Sequence, residues 1–518
     1  MTTLMARWDH GYVTDVAYTI SAYQETTPSW LAACSTLLGF LPTDTAKPFR
    51  YADLGCGNGL TTLLTAATSP HAEVWGFDFN PAHVEQARAM AARSGLTNIH
   101  FEETSFEALA KADAAGDFDI MVSHGVLSWI SLENRRHLLD IIGRRLRPGG
   151  LAYLSYNTTT GWSGMEPVRL LMRQLAQSSQ RRSDQAVETV FGVLEQLRAG
   201  GATFFQAHPG LQSRLDQMKN QDARYIAHEF LNRDWHPVMF AELLEAMAET
   251  RTTFIGSATL TENIDAVSVP QALLPLLADV RDLGIRETIR DLASSKAFRR
   301  DLWRKGGERM AAPEHTAHLD ALTLIWTGKP PEDTVTFPSP VGTVTGQPEF
   351  YRPLLDAIRA GPVTIGALRA LPALQGRQIG EFVQAASLLI AGGHAHPGLP
   401  GGGRAEARAA TARLNGAIVD RIRMGVDLQR LAAPVIGSSV PVSVVEALVI
   451  GQLLEEPARS RAALTDEALN ALSRSGRSLQ KDGQTLTDPA AAHALVSEVV
   501  RAVVEERLPL LRVLGVVV

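Results

Sequence analysis

The stretch RYADLGCGNG, residues 50–59, decides the fold. Its first half reads as a strand, and its second half is a glycine-rich turn that runs into the helical pattern LTTLLTAAT, residues 60–68. Glycines at 55, 57 and 59 let the backbone take positive φ and come close to a ligand. A glycine-rich turn alone is a weak signal, because many tight strand-to-helix turns need glycine only for packing. The next segment strengthens it. AEVWGFDFN, residues 72–80, is a second strand that ends on Asp78, whose carboxylate can accept both hydroxyls of a ribose. An acidic residue about 20 positions after the turn is the spacing expected of a nucleotide site.

Working outward, PSWLAACSTLLG, residues 28–39, has helical spacing with Pro at its start and Gly at its end. PAHVEQARAMAARSG, residues 81–95, is a helix after the second strand. IHFEETSF (99–106) and FDIMVSHGVLSWI (118–130) contain the third and fourth strands, and LAYLSYN (151–157) is the fifth. Strands that alternate with helices imply parallel pairing in a doubly wound sheet, with ligands beyond the carboxyl ends of the strands. Residues 163–232 break the rhythm with polar, helix-favouring sequence and are expected to form a helical insertion. The α/β rhythm resumes over 233–270, residues 271–325 are expected to be helical, and 326–400 is expected to hold a winged-helix-like module. Residues 401–518 are expected to form a mostly helical C-terminal domain. Residues 1–162 thus form the ligand-binding core of an α/β, Rossmann-like protein.

Bulk properties narrow the function. A 518-residue chain exceeds one hydrophobic core and divides into several domains. With 45% hydrophobic and 20% charged residues it has the composition of an ordinary globular protein. A net charge of −6 argues against a sequence-independent grip on nucleic acid. The 349–397 segment has four arginines, no lysine and three acids, so protein contact is expected there rather than DNA. Two cysteines are too few for a disulfide framework, which suggests a reducing compartment. The start, MTTLMARWDHGY, lacks the layout of a signal peptide, and no apolar run reaches the ~18 residues of a membrane helix, so the expected location is the cytoplasm without membrane contact. The apolar tail LPLLRVLGVVV (508–518) is expected to pack as a final strand or helix end. HAHP (394–397) has two histidines without partner ligands and is expected to be a loop, and no metal site is expected. A nucleophile elbow and a P-loop lysine are both missing from the sequence.

Dinucleotide sites use G-x-G-x-x-G to seat a pyrophosphate at a helix N-terminus. Here the spacing is G-x-G-x-G with Asp53 at the strand end, a carboxylate that would repel a pyrophosphate but suits a ligand with an ammonium and a sulfonium. S-adenosylmethionine is that ligand, and DLGCGNG resembles the first motif of the class I methyltransferases, E/D-x-G-x-G-x-G. Three further segments resemble bacterial methyltransferases that carry a methyltransferase regulatory domain. They are FDIMVSHGVLSWI, LRPGGLAYLSYNTTTGW (146–162) and RYIAHEFLNRDWHPVMFAELLEAM (224–247) continued by FIGSATLTENIDA (254–266). The best-known members are the rickettsial protein-lysine methyltransferases that act on outer-membrane proteins. The resemblance covers roughly residues 8–310, and LAAPVIGSSVPV (431–442) is also family-like. The family commonly has an aromatic and a proline after the asparagine where this chain has Thr159 and Thr160.

The resemblance implies methyl transfer from S-adenosylmethionine, with S-adenosylhomocysteine as product. Asp53, Gly55, Cys56, Gly57, Asn58, Gly59 and Asp78 are the central cofactor candidates. Phe79 and Asn80 are candidates to flank the adenosine, although Asn80 before Pro81 also reads as a helix cap. Ser105 and Phe106 end the third strand where the adenine is supported, and His124 and Gly125 end the fourth beside the sulfonium. Tyr18 and Tyr23 precede the first strand and are candidates to cover the cofactor's methionine end. Tyr156 and Asn157 at the end of the fifth strand, with His124, are the catalytic candidates. Trp129 and Trp162 are candidates to face the acceptor. A lysine side chain of a protein leads as acceptor, with a small molecule methylated on O or N as runner-up. A catalytically idle cofactor sensor is the third reading. The insertion is expected to cap the site or to make a homodimer interface.

Overall fold

The computed structural model describes residues 11–16, 20–112, 117–329, 334–481 and 484–517. β1 (Arg50–Leu54), β2 (Glu73–Asp78), β3 (Ile99–Glu103), β4 (Phe118–Ser123) and β5 (Leu146–Asn157) are the five strands expected from the sequence. They form one sheet with β6 (Thr252–Ser257) and β7 (Phe298–Lys305), in the order β3-β2-β1-β4-β5-β7-β6. The first five strands are parallel, and β7 lies antiparallel between β5 and β6. Strand order reverses between β1 and β4, which opens a crevice at their carboxyl ends.

β7 corrects the expectation for 271–325. Helices Leu274–Asp279 and Leu283–Ser294 are present there, but the strand Phe298–Lys305 pairs with β5 from Phe298 to Arg304. FRRDLWRK has no apolar run, and its buried Arg299 and Asp301 are paired inside the fold. Arg299 donates to Asp301 at 3.0 Å, to Asp291 at 2.7 Å and to Glu287 at 2.8 Å, all four side chains being buried. Burial pushes the Asp291 carboxyl up to about 7 although Arg299 opposes the shift.

The insertion consists of helices Met165–Ser179, Ser183–Ala199, Thr203–Ala207, Pro209–Lys219 and Ala223–Phe230. Its core joins Met172, Phe191, Phe205 and Ile226 to Trp129 and Trp235 of the sheet-bearing part. The insertion therefore sits on the crevice rather than beside it. Residues 348–397 form helices Pro348–Ala360, Ile365–Arg369 and Ile379–Ala391 against a three-stranded antiparallel sheet. HAHP contributes the edge strand Ala395–Pro397 to that sheet, not a loop, with both histidines buried. No group of residues able to hold a metal ion occurs among the described residues.

Helix Ala405–Arg423 lies across helix Leu60–Thr68, with Arg413 Nε donating to the Ser94 carbonyl at 3.0 Å. The hairpin Arg430–Ala433/Ser438–Pro441 follows it, and its turn accepts a bond from Ser29 Oγ at the Ile436 carbonyl (2.6 Å). The family-like 431–442 segment thus fastens the helix Pro28–Leu37, which precedes the crevice. The tail ends in helix Leu508–Val513 with Val516 and Val517 buried. No helix among the described residues is long and apolar enough to cross a membrane.

Candidate functional site

At the carboxyl end of β1 the chain must turn at once into helix Leu60–Thr68. Gly55, at φ +82°, leaves no room for a side chain, since a Cβ would stand 2.6 Å from Val126 Cγ2. Gly57, at φ +57°, has open space where a Cβ would be, so its backbone forms bare wall on a cavity of about 640 Å³. Gly59 is not on that wall; it makes room for the Phe101 ring.

Asp78 faces the cavity with its carboxylate already aimed. Oδ2 accepts the Gly57 N–H at 2.8 Å and Oδ1 accepts the Asn80 N–H at 2.9 Å. One side chain therefore couples the glycine turn to the end of β2. Phe79 lines the cavity edge-on to Tyr12, whereas Asn80 is turned away and caps helix Pro81–Arg93 through the Ala82 N–H. Asp53 is also off the cavity. It is buried beneath the turn, where it accepts from Thr62 Oγ1 at 2.8 Å, and burial pushes its pKa up to about 7. Its contribution is to the shape of the turn, and the expectation that it meets the ligand's ammonium is corrected.

Thr104, Ser105 and Phe106 line the next stretch of wall, with Ser105 Oγ accepting from the Ala108 N–H at 3.1 Å. His124 and Gly125 follow at the end of β4. The His124 ring is stacked on Tyr23 with centroids 3.6 Å apart, and its Nδ1 is 2.8 Å from Tyr153 Oη. Burial, with Arg300 adding to it, pushes the His124 pKa down to about 3, so the ring is neutral near pH 7. Tyr18 lies outside the described residues.

Side chains along β5 alternate between the two sheet faces. Tyr153, Ser155 and Asn157 share the cavity side: Tyr153 meets His124, Ser155 Oγ accepts from the Gly125 N–H at 2.8 Å, and Asn157 lines the cavity. Asn157 Nδ2 is buried without a hydrogen-bond partner. Tyr156 falls on the opposite face, in a core with Trp303 and Phe240, and donates to Asp301 at 2.5 Å. The expectation of Tyr156 as a catalytic group is therefore corrected, because one residue's step along a strand inverts the side chain.

The TTTGW segment splits in the same way. Thr158 and Thr160 hydroxyls both donate to the Lys296 carbonyl, and the Thr159 N–H donates to Val238. A Cβ on Gly161 would collide with the Lys296–Ala297 backbone at 2.2 Å. These residues turn the chain against the start of β7 and none of them lines the cavity. Trp162 does line it, held by a 2.8 Å bond from Nε1 to the Ala297 carbonyl, and so does Trp129, packed beside Trp235.

The fold adds residues that sequence reading missed. Tyr12, Tyr225 and Glu229 line the cavity, with burial and Glu229 pushing both tyrosine pKa values up. Arg214 and Arg300 line it as well. Tyr225 and Glu229 lie within the family-like 224–247 segment, which is the one signal that pointed towards them.

The residues fit an adenosyl sulfonium: a bare backbone cradle at Gly57, an oriented carboxylate at Asp78 and an unfilled polar position at Asn157. Fold and site together define a class I S-adenosylmethionine-dependent methyltransferase. Residues 47–229 match a methyltransferase domain, and residues 222–305 match a predicted methyltransferase regulatory domain. The chain belongs to the class I methyltransferases that carry this regulatory domain. A Synechocystis protein of uncharacterized function is 31% identical over 509 residues, which is 98% of this chain and 99% of that one. PKMT2 from Rickettsia typhi, solved with AdoHcy, has the same fold at a TM-score of 0.71 over 96% of this chain and 99% of that chain, with 17% identity. A trans-aconitate 2-methyltransferase from Streptomyces coelicolor is 33% identical over 206 residues, which is 37% of this chain and 65% of the enzyme.

Proposed function

We propose that the methyl acceptor is the side-chain amine of a lysine in a protein. Asn157 carries this reading. Its carboxamide ends the strand that faces the transfer position and has bonding capacity unused inside the chain. A half-turn of that group offers either NH2 or carbonyl to a ligand, and the carbonyl can hold an amine N–H while the lone pair points at the methyl group. Trp129 brings a ring surface to the same cavity, which suits an amine or its methylated forms.

Bound S-adenosylmethionine supplies a methyl group already activated on a sulfonium. The chain's task is placement and exclusion of water. Gly55, Cys56, Gly57 and Asn58 would hold its methionine portion, with Tyr23 covering it. Asp78 would hold the ribose, Phe79, Ser105 and Phe106 the adenosine, and Gly125 and His124 the region of the sulfonium. His124 acts as neutral packing in this scheme, since its Nδ1 is engaged by Tyr153.

The resemblance of residues 118–130, 146–162 and 224–266 to the rickettsial protein-lysine methyltransferases supports a protein substrate. A small-molecule acceptor is the second reading, favoured by the local similarity to trans-aconitate 2-methyltransferases. The altered Thr159 and Thr160 do not favour it, because they lie off the cavity. Incubation with methyl-labelled S-adenosylmethionine and a size-fractionated bacterial lysate separates the two, with Asp78→Ala as control. Methyl-lysine in protein supports the first reading, and label confined to small molecules overturns it. We also propose that the insertion forms a homodimer interface, since Leu170 and Leu197 are exposed on its two long helices. A monomer by light scattering at micromolar concentration would remove that part.

A further inference from the structure

We infer that Arg214 makes the acceptor side of the cavity selective for acceptors that carry a carboxylate near the methylated atom. The inference deepens the function proposed above and rests on it only for which side of the cavity receives the acceptor. Helix Pro209–Lys219 lays the guanidinium over the Trp162 ring, with its central carbon 4.1 Å from the ring centroid. Trp162 is fixed to Ala297, and Trp162 and Arg214 line the same cavity as Asn157, so the cation is held on the wall of the cavity that holds the transfer position.

Arg214 has no carboxylate partner and no hydrogen bond among the described residues. Burial alone draws its pKa down, with no acid opposing the shift. The acid nearest on its own helix, Asp216, is taken by Arg198 at 2.6 Å. The cavity's two carboxylates are occupied elsewhere. Asp78 holds two backbone N–H groups, and Glu229 sits by Tyr12 and Tyr225. The cavity's other arginine, Arg300, already has Glu25 at 3.7 Å and Thr259 at 3.2 Å.

A half-buried guanidinium on an aromatic face, without a counter-charge, keeps its N–H donors for a ligand. A carboxylate on the ligand supplies the counter-charge, and the planar fork of donors matches two carboxylate oxygens. In a protein the carboxylate would be an acidic residue beside the target lysine, and in a small molecule it would be a free acid. The shared chemistry is an anion displaced from the nucleophile by the span between Arg214 and Asn157.

The full chain, saturated with S-adenosylhomocysteine, is titrated with short lysine peptides flanked on both sides by Glu, Gln or Lys, and with glutarate as competitor. We expect the Glu peptide to bind about ten- to a hundredfold tighter than the Gln peptide, the worth of one charge-assisted contact. Arg214→Ala should make the two alike, and Arg214→Glu should favour the Lys peptide. Arg214→Gln keeps a planar group on Trp162 and replaces Arg214→Ala should that variant fail to fold; S-adenosylhomocysteine affinity within about threefold of wild type reports an intact cofactor half. Glutarate binding that depends on Arg214 and exceeds that of the Glu peptide assigns the anion to a free acid, and the reverse assigns it to a protein. Equal binding of Glu and Gln peptides, a preference that survives both neutral variants, or no binding of any of these probes overturns the inference. Methyl transfer is scored separately. Charge preference without methyl-lysine overturns the lysine reading and leaves the role of Arg214 standing.

Discussion

Asp78→Ala should weaken S-adenosylhomocysteine binding by between about a hundred- and a thousandfold. In the free protein the carboxylate accepts the Gly57 and Asn80 N–H groups at 2.8 and 2.9 Å, has His83 Nδ1 3.4 Å from Oδ1, and lines the cavity. Two ribose hydroxyls donated to a carboxylate are worth about 1.5–3 kcal/mol each, with incomplete additivity, so about 3–4 kcal/mol of binding is lost. That is the stated range in Kd. Asp78→Asn sharpens the test. Its carbonyl can accept one of the two backbone N–H groups, but its NH2 then meets the other donor to donor. The glycine turn should therefore loosen, and the amide should recover at most about tenfold of the loss. Calorimetric titration gives the affinities, and a thermal melt checks that each variant is folded. Less than tenfold weakening in a folded Asp78→Ala protein would refute the assignment of this carboxylate to the ribose.

Tyr156→Phe and Asn157→Ala should separate stability from transfer although the residues are adjacent. Losing the Tyr156 hydroxyl leaves buried Asp301 short of a donor, costing about 1–3 kcal/mol in a denaturant melt with kcat/KM within about threefold. Asn157→Ala should melt like wild type but lose about ten- to a hundredfold in kcat/KM in the labelled-transfer assay. Gly55→Ala forces a side chain to φ +82° and 2.6 Å from Val126, so cofactor affinity should fall by at least about tenfold by titration. His124 has a folded pKa held down at about 3. The unfolded chain therefore takes up its proton first on acidification. The stability due to the neutral ring is complete above about pH 6.5 and lost as pH falls towards 3, about 2 kcal/mol of it by pH 5. Between pH 7 and pH 5 wild type should fare about 2 kcal/mol worse in denaturant melts than His124→Gln does, the raised Asp53 and Asp291 carboxyls acting alike in both.

What the sequence determined by itself was local. The strand, glycine turn and helix over 50–68, Asp78 at the end of β2 and Asn157 at the end of β5 follow from periodicity and turn chemistry within a few residues. The cofactor class followed too, because turn and carboxylate are joined by a single strand and helix. Only tertiary structure decided which neighbour faces the ligand. Tyr156 and Asn157 are equally suitable by type, and the pleat of β5 assigns one to Asp301 and the other to the cavity. β7 was illegible because Arg299 and Asp301 are polar by composition and are made tolerable in a core by Glu287, Asp291 and Tyr156. Tyr12, Arg214 and Glu229 come from segments far apart in the chain and meet over the sheet because the insertion's apolar face packs on Trp129 and Trp235. Long-range packing of that kind leaves no periodic trace, so the cavity wall made by the glycine turn and Asp78 was legible in the sequence and the wall made by the insertion was not.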